Sequence, residues 1–495
     1  MVKVSVVVPV YNPGAHLADL VRSLRGQSLA ADEYEAIFVD DGSTDGTGAR
    51  LDALAAEHPR FRVAHIPNSG WPGRPRNLGT DMARGTYIFY ADNDDWLGPE
   101  ALERLYERAQ ADGADVVVGK VVGHGKNVSR ELFEADRRGV AVGWDPLLNL
   151  LSPHKLFRRA FLAEHRIRFP EGRRRLEDHV FVMQAYFAAQ DRISVLADYP
   201  CYHWVVREAP APAPGAARSK KNASHRRIVP QSYFGNVREV LDIVEANTEP
   251  GELRDRLRLH WYRSKGLSRL GENPPVRPFV RRGKAYNREL FDAVAALAAE
   301  RIPPDLDRLL PFNMRVRSHL VRAGDLDGLY ALARYEAGLE ARVRLTGHRD
   351  HRLGADLELQ ARLRGPKRRL RFQVDGERLL WSPPPSLHPH LTGFDLDATA
   401  GAIGALPQVL AVSVTDGTEH TLQLEGTVDL RPAGDGLVSP RLVATAAFRP
   451  AELAAGSPLA PGDWELHVVV SIAGFSGTAT KIRQNGERTR LAFTV

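Results

Sequence analysis

The sequence predicts an α/β domain at the front of the chain, a helical connector behind it, and an antiparallel β-sandwich region at the end. Three observations carry this. Apolar strands alternate with amphipathic helical patterns as far as about residue 210. A proline-alternating break follows, Ala209-Pro-Ala-Pro-Ala-Pro-Gly215, which suits neither helix nor central strand. From about Leu339 the texture changes to short alternating segments separated by turn signals. The expected division is 1–210, 211–337 and 338–495. At roughly 150 residues per domain, a chain of 495 residues has room for about three.

The elements justify themselves in order. Val4 to Val10 is a β-branched run ending at Pro9-Val10-Tyr11-Asn12-Pro13, and a helical pattern follows through Leu17, Leu20, Val21 and Leu24. Ala36 to Val39 is a second strand ending in Asp40-Asp41-Gly42-Ser43, where Ser43 is placed to cap a helix carrying Leu51 and Leu54. Phe61 to Ile66, Tyr87 to Ala91 and Val116 to Val118 are further strands. Continuous apolar strands separated by helices imply a buried, mostly parallel sheet. Ligands of such sheets sit at the carboxyl ends of the strands, and the polar clusters fall there. After the break, and a basic Ser219-Lys-Lys-Asn222 stretch, helical periodicity runs from Ile228 to about Ala337, interrupted at Asn273-Pro-Pro275 and Pro303-Pro304. The last section alternates at 341–345, 357–361, 370–374, 422–425 and 464–470, with turns at Asp375-Gly376, Asp416-Gly417 and Asn485-Gly486. That is an antiparallel sandwich, or two small ones.

Composition narrows the class. Lys and Arg number 67 against 61 Asp and Glu, a net charge of +6, so anionic partners are favoured over cationic ones. A single cysteine, Cys201, excludes an intrachain disulfide and a cysteine-held metal. No apolar run reaches the ~18 residues that span a bilayer, and Met1-Val2-Lys3 leads straight into a strand without a signal-peptide core. A cytoplasmic protein is the expectation, with a peripheral place at the inner face of the plasma membrane left open. No recognition helix or aromatic-basic sheet pattern points to nucleic acid.

The chemistry concentrates in the first section. Asp92-x-Asp94 stands after a buried strand, where two carboxylates on a turn can share a divalent cation and a phosphate-bearing ligand. Asp40-Asp41 ends another strand of the same sheet and can accept from a ribose or a base N–H. In Gly70-Trp-Pro-Gly-Arg-Pro-Arg76-Asn77, Arg76 and Asn77 at a helix start can hold a phosphate or orient the acidic turn. Glu177-Asp178 opens a helix, a pair that reads equally as an acidic cap. His203 and Arg207 precede the break; with Lys220 and Lys221, Arg207 suits a mobile basic loop or a plain linker. Trp71 and Trp96 flank the motifs as stacking or packing aromatics. Basic clusters at 173–175, 225–227 and 367–369 read as solvated faces or as attraction for an anionic acceptor.

Val8-Pro-Val-Tyr-Asn12, Val39-Asp-Asp-Gly-Ser-Thr-Asp45, Arg76-Asn-x-Gly79 and Phe89-Tyr-Ala-Asp-x-Asp-Asp95 together resemble glycosyltransferase family 2. The resemblance covers the first 210 residues and implies a GT-A fold, a Rossmann-like nucleotide-sugar-binding domain, with UDP the usual nucleotide. It implies that Pro9, Tyr11 and Asp41 flank the nucleoside, with Asn68 and Arg76 nearby. It places Asp92 on the ribose or sugar with Asn93 beside it, Asp94 on Mn²⁺ or Mg²⁺, His203 in the metal shell and Arg207 on the diphosphate. Leu176-Glu-Asp-His-x-Phe181 resembles the family's Glu-Asp signature, which makes Asp178 the matching base and Glu177 its catalytic neighbour. Inverting transfer needs such a carboxylate beside the acceptor hydroxyl and positive charge beside the departing diphosphate. The Gln-x-x-Arg-Trp element of processive members is missing, which favours single transfers or modification of a soluble polymer.

The order of sections is similar to the wall teichoic acid glycosyltransferases of Gram-positive bacteria, a likeness of architecture beyond residue 210. It implies transfer of N-acetylglucosamine from a UDP-sugar to a polyol-phosphate polymer, and C-terminal sandwiches that assemble homo-oligomers, trimers in that family. The alternatives are a capsular, lipid-linked or other glycan acceptor, and a non-catalytic carbohydrate-binding scaffold. The C-terminal region suits oligomerisation and carbohydrate binding alike.

Overall fold

A computed structural model describes residues 1–124, 128, 131–140, 142–143, 146–205, 227–272, 278–351, 354–365, 370–413, 419–449, 462–479, 483–484, 487–488 and 490–493. Arg207, Lys220, Lys221, His225 and Arg226 lie outside these residues, as do Pro274, Pro275, residues 367–369, Asp416-Gly417 and Asn485-Gly486. The chain divides into two compact units, 1–228 with 235–256, and 229–234 with 257–495.

The first unit is built on an eight-stranded sheet in the order β3-β2-β1-β4-β7-β6-β8-β5. Its strands are β1 (Val4–Val10), β2 (Tyr34–Asp40), β3 (Phe61–His65), β4 (Tyr87–Tyr90), β5 (Trp96–Leu97), β6 (Val116–His124), β7 (Leu156–Arg158) and β8 (Ile193–Val205). Every residue of β1, β2 and β4 is buried, as a strand covered on both faces requires. The strands β3-β2-β1-β4 run parallel, and so do β6 and β8. The strand β7 enters antiparallel between β4 and β6, and β5 pairs antiparallel with β8. The sheet is therefore mixed, and the expected mostly parallel arrangement holds for the half that carries the motifs.

The helices of this unit are α1 (Leu17–Arg25), α2 (Thr47–Glu57), α3 (Gly73–Met82), α4 (Ala101–Asp112), α5 (Arg159–Glu164) and α6 (Glu177–Ala189). The expected cap Ser43 is displaced. The helix α2 starts at Thr47, and Asp45 accepts from the Thr47 N–H at 3.1 Å and its hydroxyl at 2.5 Å. Ser43 instead accepts from the Asn12 N–H at 3.0 Å, tying the end of β1 to the turn after β2. The helix α3 lies close on β1: a Cβ at Gly79 would stand 2.4 Å from Val7 Cγ1. Its buried face is Gly73, Pro75, Arg76, Asn77 and Gly79, with few apolar side chains, so it delivers polar groups inward.

Between 230 and 337 run α7 (Pro230–Ala246), α8 (Glu252–Trp261), α9 (Lys284–Arg301), α10 (Phe312–Arg322) and α11 (Leu326–Ala337), with a short 3₁₀ turn at Pro304–Leu309. The second unit continues into strands β9 (Glu340–His351), β10 (Gly354–Arg364), β11 (Phe372–Asp375), β12 (Arg378–Trp381), helix α12 (Thr399–Ile403), β13 (Gln408–Ser413), β14 (Glu419–Thr421), β15 (Gln423–Pro432) and β16 (Leu437–Phe448). The strands β17 (Gly462–Ile472), β18 (Phe475–Ala479), β19 (Arg483–Gln484), β20 (Glu487–Arg488) and β21 (Arg490–Phe493) complete it. One six-stranded sheet runs β12-β11-β16-β10-β9 with β15 beside β16; a five-stranded sheet runs β14-β13-β17-β18 with β21 beside β17. All described pairings here are antiparallel, as the alternating pattern predicts. Helices and sheets share one core: Phe312 and Val316 of α10 pack with Trp381, Leu357 and Phe475, and the Phe312 and Trp381 rings sit edge to face at 5.6 Å. Among the described residues no helix is long and apolar enough to cross a membrane.

Candidate active site

The motifs converge where the parallel strands end. β1 and β2 pair through Val10 and Asp40, and the Asp41 N–H donates to the Val10 carbonyl at 2.8 Å, extending the ladder by one bond. Asp41 is buried, and its carboxylate accepts from the Ser69 N–H at 2.6 Å and the Ser69 hydroxyl at 3.0 Å. Asn68 donates its amide to the Asp41 carbonyl at 2.7 Å. Gly42 makes this approach possible: its φ is +69°, and a Cβ there would stand 2.8 Å from the Asn68 nitrogen. Burial raises the Asp41 carboxyl above its ordinary range, against the Ser69 hydrogen bonds. Tyr11 stands half exposed just past β1, before Asn12 in a left-handed turn at φ +46°. Asn93 donates to the Pro9 carbonyl at 3.2 Å, linking the β4 turn to β1. Pro9, Tyr11, Asp41, Asn68 and Asn93 thus gather at the carboxyl ends of β1, β2 and β4.

Beside it lies a denser electrostatic cluster organised by Arg76. This side chain is buried, donates to Asp92 Oδ1 at 2.9 Å and reaches Glu177 Oε1 at 3.4 Å. Its guanidinium lies over the Phe169 ring at 5.2 Å from the centroid. Asn77, one residue on, fixes the neighbouring loop by donating to the Phe169 carbonyl and Glu171, each at 2.9 Å. Both residues sit in the second turn of α3. Of the two roles open to Arg76, the geometry shows it gripping the acidic turn.

Asp92 is held on both sides, by Arg76 and by His154, whose Nε2 stands 3.1 Å from Asp92 Oδ2. Burial would raise the Asp92 carboxyl, but His154 and Arg76 overcome it and hold it well below the ordinary carboxylate range. Asp95, the last residue of the same acidic motif, accepts from the Tyr202 hydroxyl at 2.6 Å and the Val205 N–H at 2.8 Å. The Asp92 N–H donates back to Tyr202 at 3.0 Å. Strand β8 is thereby pinned to the acidic turn. Burial and then the charges of Asp92 and Asp94 push Asp95 up to about 8.

Among the described residues Asp92, Asp95 and His154 bring ligand atoms within 4.8 Å of one another. Two carboxylates and an imidazole are a donor set that fits a small divalent cation. The His154 ring is fixed by stacking on Tyr202 at 4.2 Å, which keeps its Nε2 against Asp92. Asp94, the expected ligand, is half buried at the tip of the same turn. His203, the other expected ligand, is placed differently. Its Nδ1 lies 3.0 Å from His124 Nε2 and its ring stacks on Trp96 at 5.1 Å. Burial and then His124 lower it to about 4. The imidazole against Asp92 is that of His154.

Helix α6 supplies the remaining pair. Leu176 immediately before it has φ +64°, a left-handed conformation that a branched apolar residue rarely takes and that clusters at functional sites. Glu177 is buried; Trp71 Nε1–H donates to its Oε2 at 2.7 Å while Arg76 faces Oε1. Trp71 is thus committed to Glu177. Burial, reinforced by neighbouring Asp178, pushes Glu177 up to about 7. Asp178 has a side chain 28% exposed, and its Oδ1 accepts from the His179 N–H at 2.8 Å with His179 Nδ1 at 2.7 Å. Burial works to raise Asp178, yet His179 and Arg76 hold it at about 2. Nearby Lys155 is fully buried, donates to the Ser152 carbonyl, and is pushed down to about 7 by burial despite the Asp178 charge. His154 and Lys155 carry no motif; the only signal was a basic pair just ahead of the short apolar run Leu156-Phe157.

A mixed sheet flanked by helices, with an arginine-bridged carboxylate cluster at its strand ends, is GT-A-like. Comparison with known proteins agrees. Residues 5–192 match the model of Glycosyl transferase family 2, and residues 230–333 match that of the Glycosyl transferase TarS linker domain. The chain carries a family 2 glycosyltransferase domain followed by a TarS-type linker domain. It is 29% identical over 345 residues to the poly(ribitol-phosphate) beta-glucosyltransferase of Bacillus spizizenii, covering 68% of this chain and 51% of that protein. It is 29% identical over 339 residues to the poly(ribitol-phosphate) beta-N-acetylglucosaminyltransferase TarS of Staphylococcus aureus, covering 66% and 54%. The chain spans about half the length of these two relatives. Residues 1–349 of S. aureus TarS in complex with UDP-GlcNAc superpose with a TM-score of 0.57 at 25% identity, over 72% of this chain and 96% of that one. The longer S. aureus TarS structure shares the fold over 99% of this chain and 85% of that one, with a TM-score of 0.58 at 19% identity.

Proposed function

We propose that the chain is an inverting glycosyltransferase that moves a hexose, N-acetylglucosamine or glucose, from a UDP-sugar to a hydroxyl of a polyol-phosphate polymer. The observation that carries the reading is the bridging of Asp92 and Glu177 by one buried arginine, which places the acidic turn and the Glu-Asp pair of α6 in a single cluster. The relatives named above act on poly(ribitol phosphate), and a TarS structure holds UDP-GlcNAc, which supports both substrates.

In this reading Asp41 and Asn68 receive the nucleobase, Tyr11 and Pro9 flank it, and Asp92 with Asn93 orients the ribose and sugar. Asp178 accepts the proton of the attacking hydroxyl. It is ionised at neutral pH, more exposed than Glu177, and held by His179 on one oxygen, which leaves the other for the acceptor. Glu177 is a positioning residue that keeps Trp71 and Arg76 in place. Asp94, with Asp92 and His154 behind it, would hold Mn²⁺ or Mg²⁺, which when bound supplies positive charge to the leaving diphosphate. Arg207 completes the diphosphate site, and His203 steadies the β8 wall of the acidic turn. The C-terminal sheets assemble the chain into homo-oligomers.

The test is release of UDP from a panel of sugar nucleotides, with and without poly(ribitol phosphate), in Mn²⁺, Mg²⁺ or chelator, for wild type and Asp94→Ala. Turnover of UDP-GlcNAc or UDP-glucose that requires both metal and polymer is expected, with the variant silent. Equal turnover in chelator would remove the metal from the account, and indifference to the polymer would remove the acceptor.

A further inference from the structure

The six-stranded sheet of the second unit sorts its charges along its outer face. On β10 the buried positions Leu357, Leu359, Ala361 and Leu363 alternate with outward Glu358, Gln360, Arg362 and Arg364. Register places Arg342 of β9 opposite Arg362, and Arg344 opposite Gln360. On the other side Ala361 pairs with Leu442, which sets Arg441 of β16 next to Arg362, and Arg441 pairs in turn with Asp429 of β15. Arg431 follows one pleat further, opposite Ser439. Six arginines therefore lie on four adjacent strands, where Asp429 bonds Arg431 and Arg441, and Glu340 bonds Arg342. Among the described residues no carboxylate pairs with Arg344 or Arg364. The opposite end of the same face carries Asp356, Glu358 and Glu425 together with Arg349, opposite Asp356, and Arg449, which is paired with Asp356. A cavity of about 350 Å³ opens at the basic end, lined by Arg362, Arg431, Arg441, Ser439, Pro432 and Pro440.

We propose that this arginine face is a docking surface for a linear phosphodiester polymer, the acceptor itself, held through its repeated phosphates. This rests on the acceptor reading above. Four strands spaced about 4.8 Å apart spread the cations over roughly 15 Å, wider than one phosphate and suited to successive phosphates of one chain. Guanidinium groups match phosphate oxygens in bidentate pairs, and their apolar stems lie on the sheet without strain. Docking of this kind raises the local concentration of acceptor hydroxyls without entering the chemistry.

The experiment uses the full chain and two variants, Arg342→Gln/Arg344→Gln/Arg362→Gln and Arg344→Gln/Arg364→Gln, the second confined to exposed side chains. Probes are fluorescent poly(ribitol phosphate), a dimeric ribitol phosphate, and inorganic polyphosphate. Affinity for the long polymer should fall at least about tenfold, with a shallower salt dependence, while turnover of the dimer stays that of wild type. Wild-type affinity for the long polymer in both variants would overturn the proposal. A loss that follows a change of oligomeric mass in light scattering would overturn it too, because the face would then be covered by a second copy. If wild type neither binds nor modifies poly(ribitol phosphate) yet holds polyphosphate through these arginines, the acceptor reading fails and the phosphate-polymer surface stands. If both variants bind and modify the polymer as wild type does, the surface fails and the acceptor reading stands.

Discussion

Arg76 decides the electrostatics of the candidate site, because it is the buried cation shared by Asp92 and Glu177. Removing it as Arg76→Ala leaves buried Glu177 and partly exposed Asp92 without their shared cation, a destabilisation of about 1–3 kcal/mol. The urea midpoint of unfolding should drop accordingly, and an unchanged midpoint would mean that the carboxylates are balanced by other groups. Glu177 and Asp178 are driven apart by their surroundings, one deeply buried, the other next to His179. Because folding raises Glu177, its contribution to stability is full below its ordinary value of 4.5 and is lost as pH rises through about 7. Asp178 is shifted the opposite way: its contribution is full above its ordinary value of 3.8 and is lost as pH falls through about 2. Glu177→Gln should therefore flatten the pH dependence of stability between 4.5 and about 7, read from urea midpoints across that range. Parallel curves for variant and wild type would place the titration elsewhere. At this scale the sequence exposed Asp41, Arg76, Asp92, Glu177 and Asp178 because each stands at or near a strand or helix end. It concealed His154 and Lys155, whose role comes from a loop that tertiary packing alone brings to the acidic turn.

Among the elements, α3 shows how backbone proximity serves the site. Gly79 lets the helix lie directly on Val7 of β1, and that closeness sets how far Arg76 reaches toward Asp92. Gly79→Ala inserts a methyl where the Val7 side chain already stands, an overpacking cost of about 1–3 kcal/mol. Its thermal midpoint should fall and donor affinity should weaken with it. Full stability together with full donor affinity would show that the helix has room to spare. The long apolar strands were legible from their β-branched runs. The strands β5 and β7 were not, being two and three residues long, too short for any period to show. Pro200 and two register shifts hid β8, which joins β6 only through an irregular ladder. The start of α2 was misplaced by a few residues, since Asp45 offers its carboxylate closer to the helix than Ser43 offers its hydroxyl.

For the molecule as a whole, the change from alternating strand and helix to pure strand alternation was plain in the sequence, and β10 displays the reason in its strict in-and-out burial. What alternation does not encode is pairing order. Nothing local predicts that β16 lies between β10 and β11, or that α10 shares its core with Trp381 and Phe475. The proposed chemistry turns on the carboxylate of Asp178 taking the proton from the acceptor. The most direct measurement is transfer of labelled sugar to poly(ribitol phosphate) by Asp178→Asn, alongside calorimetric binding of the donor. Donor affinity should stay close to wild type while transfer falls by about two to four orders of magnitude. Near-normal transfer by that variant would contradict it and put the base on another residue.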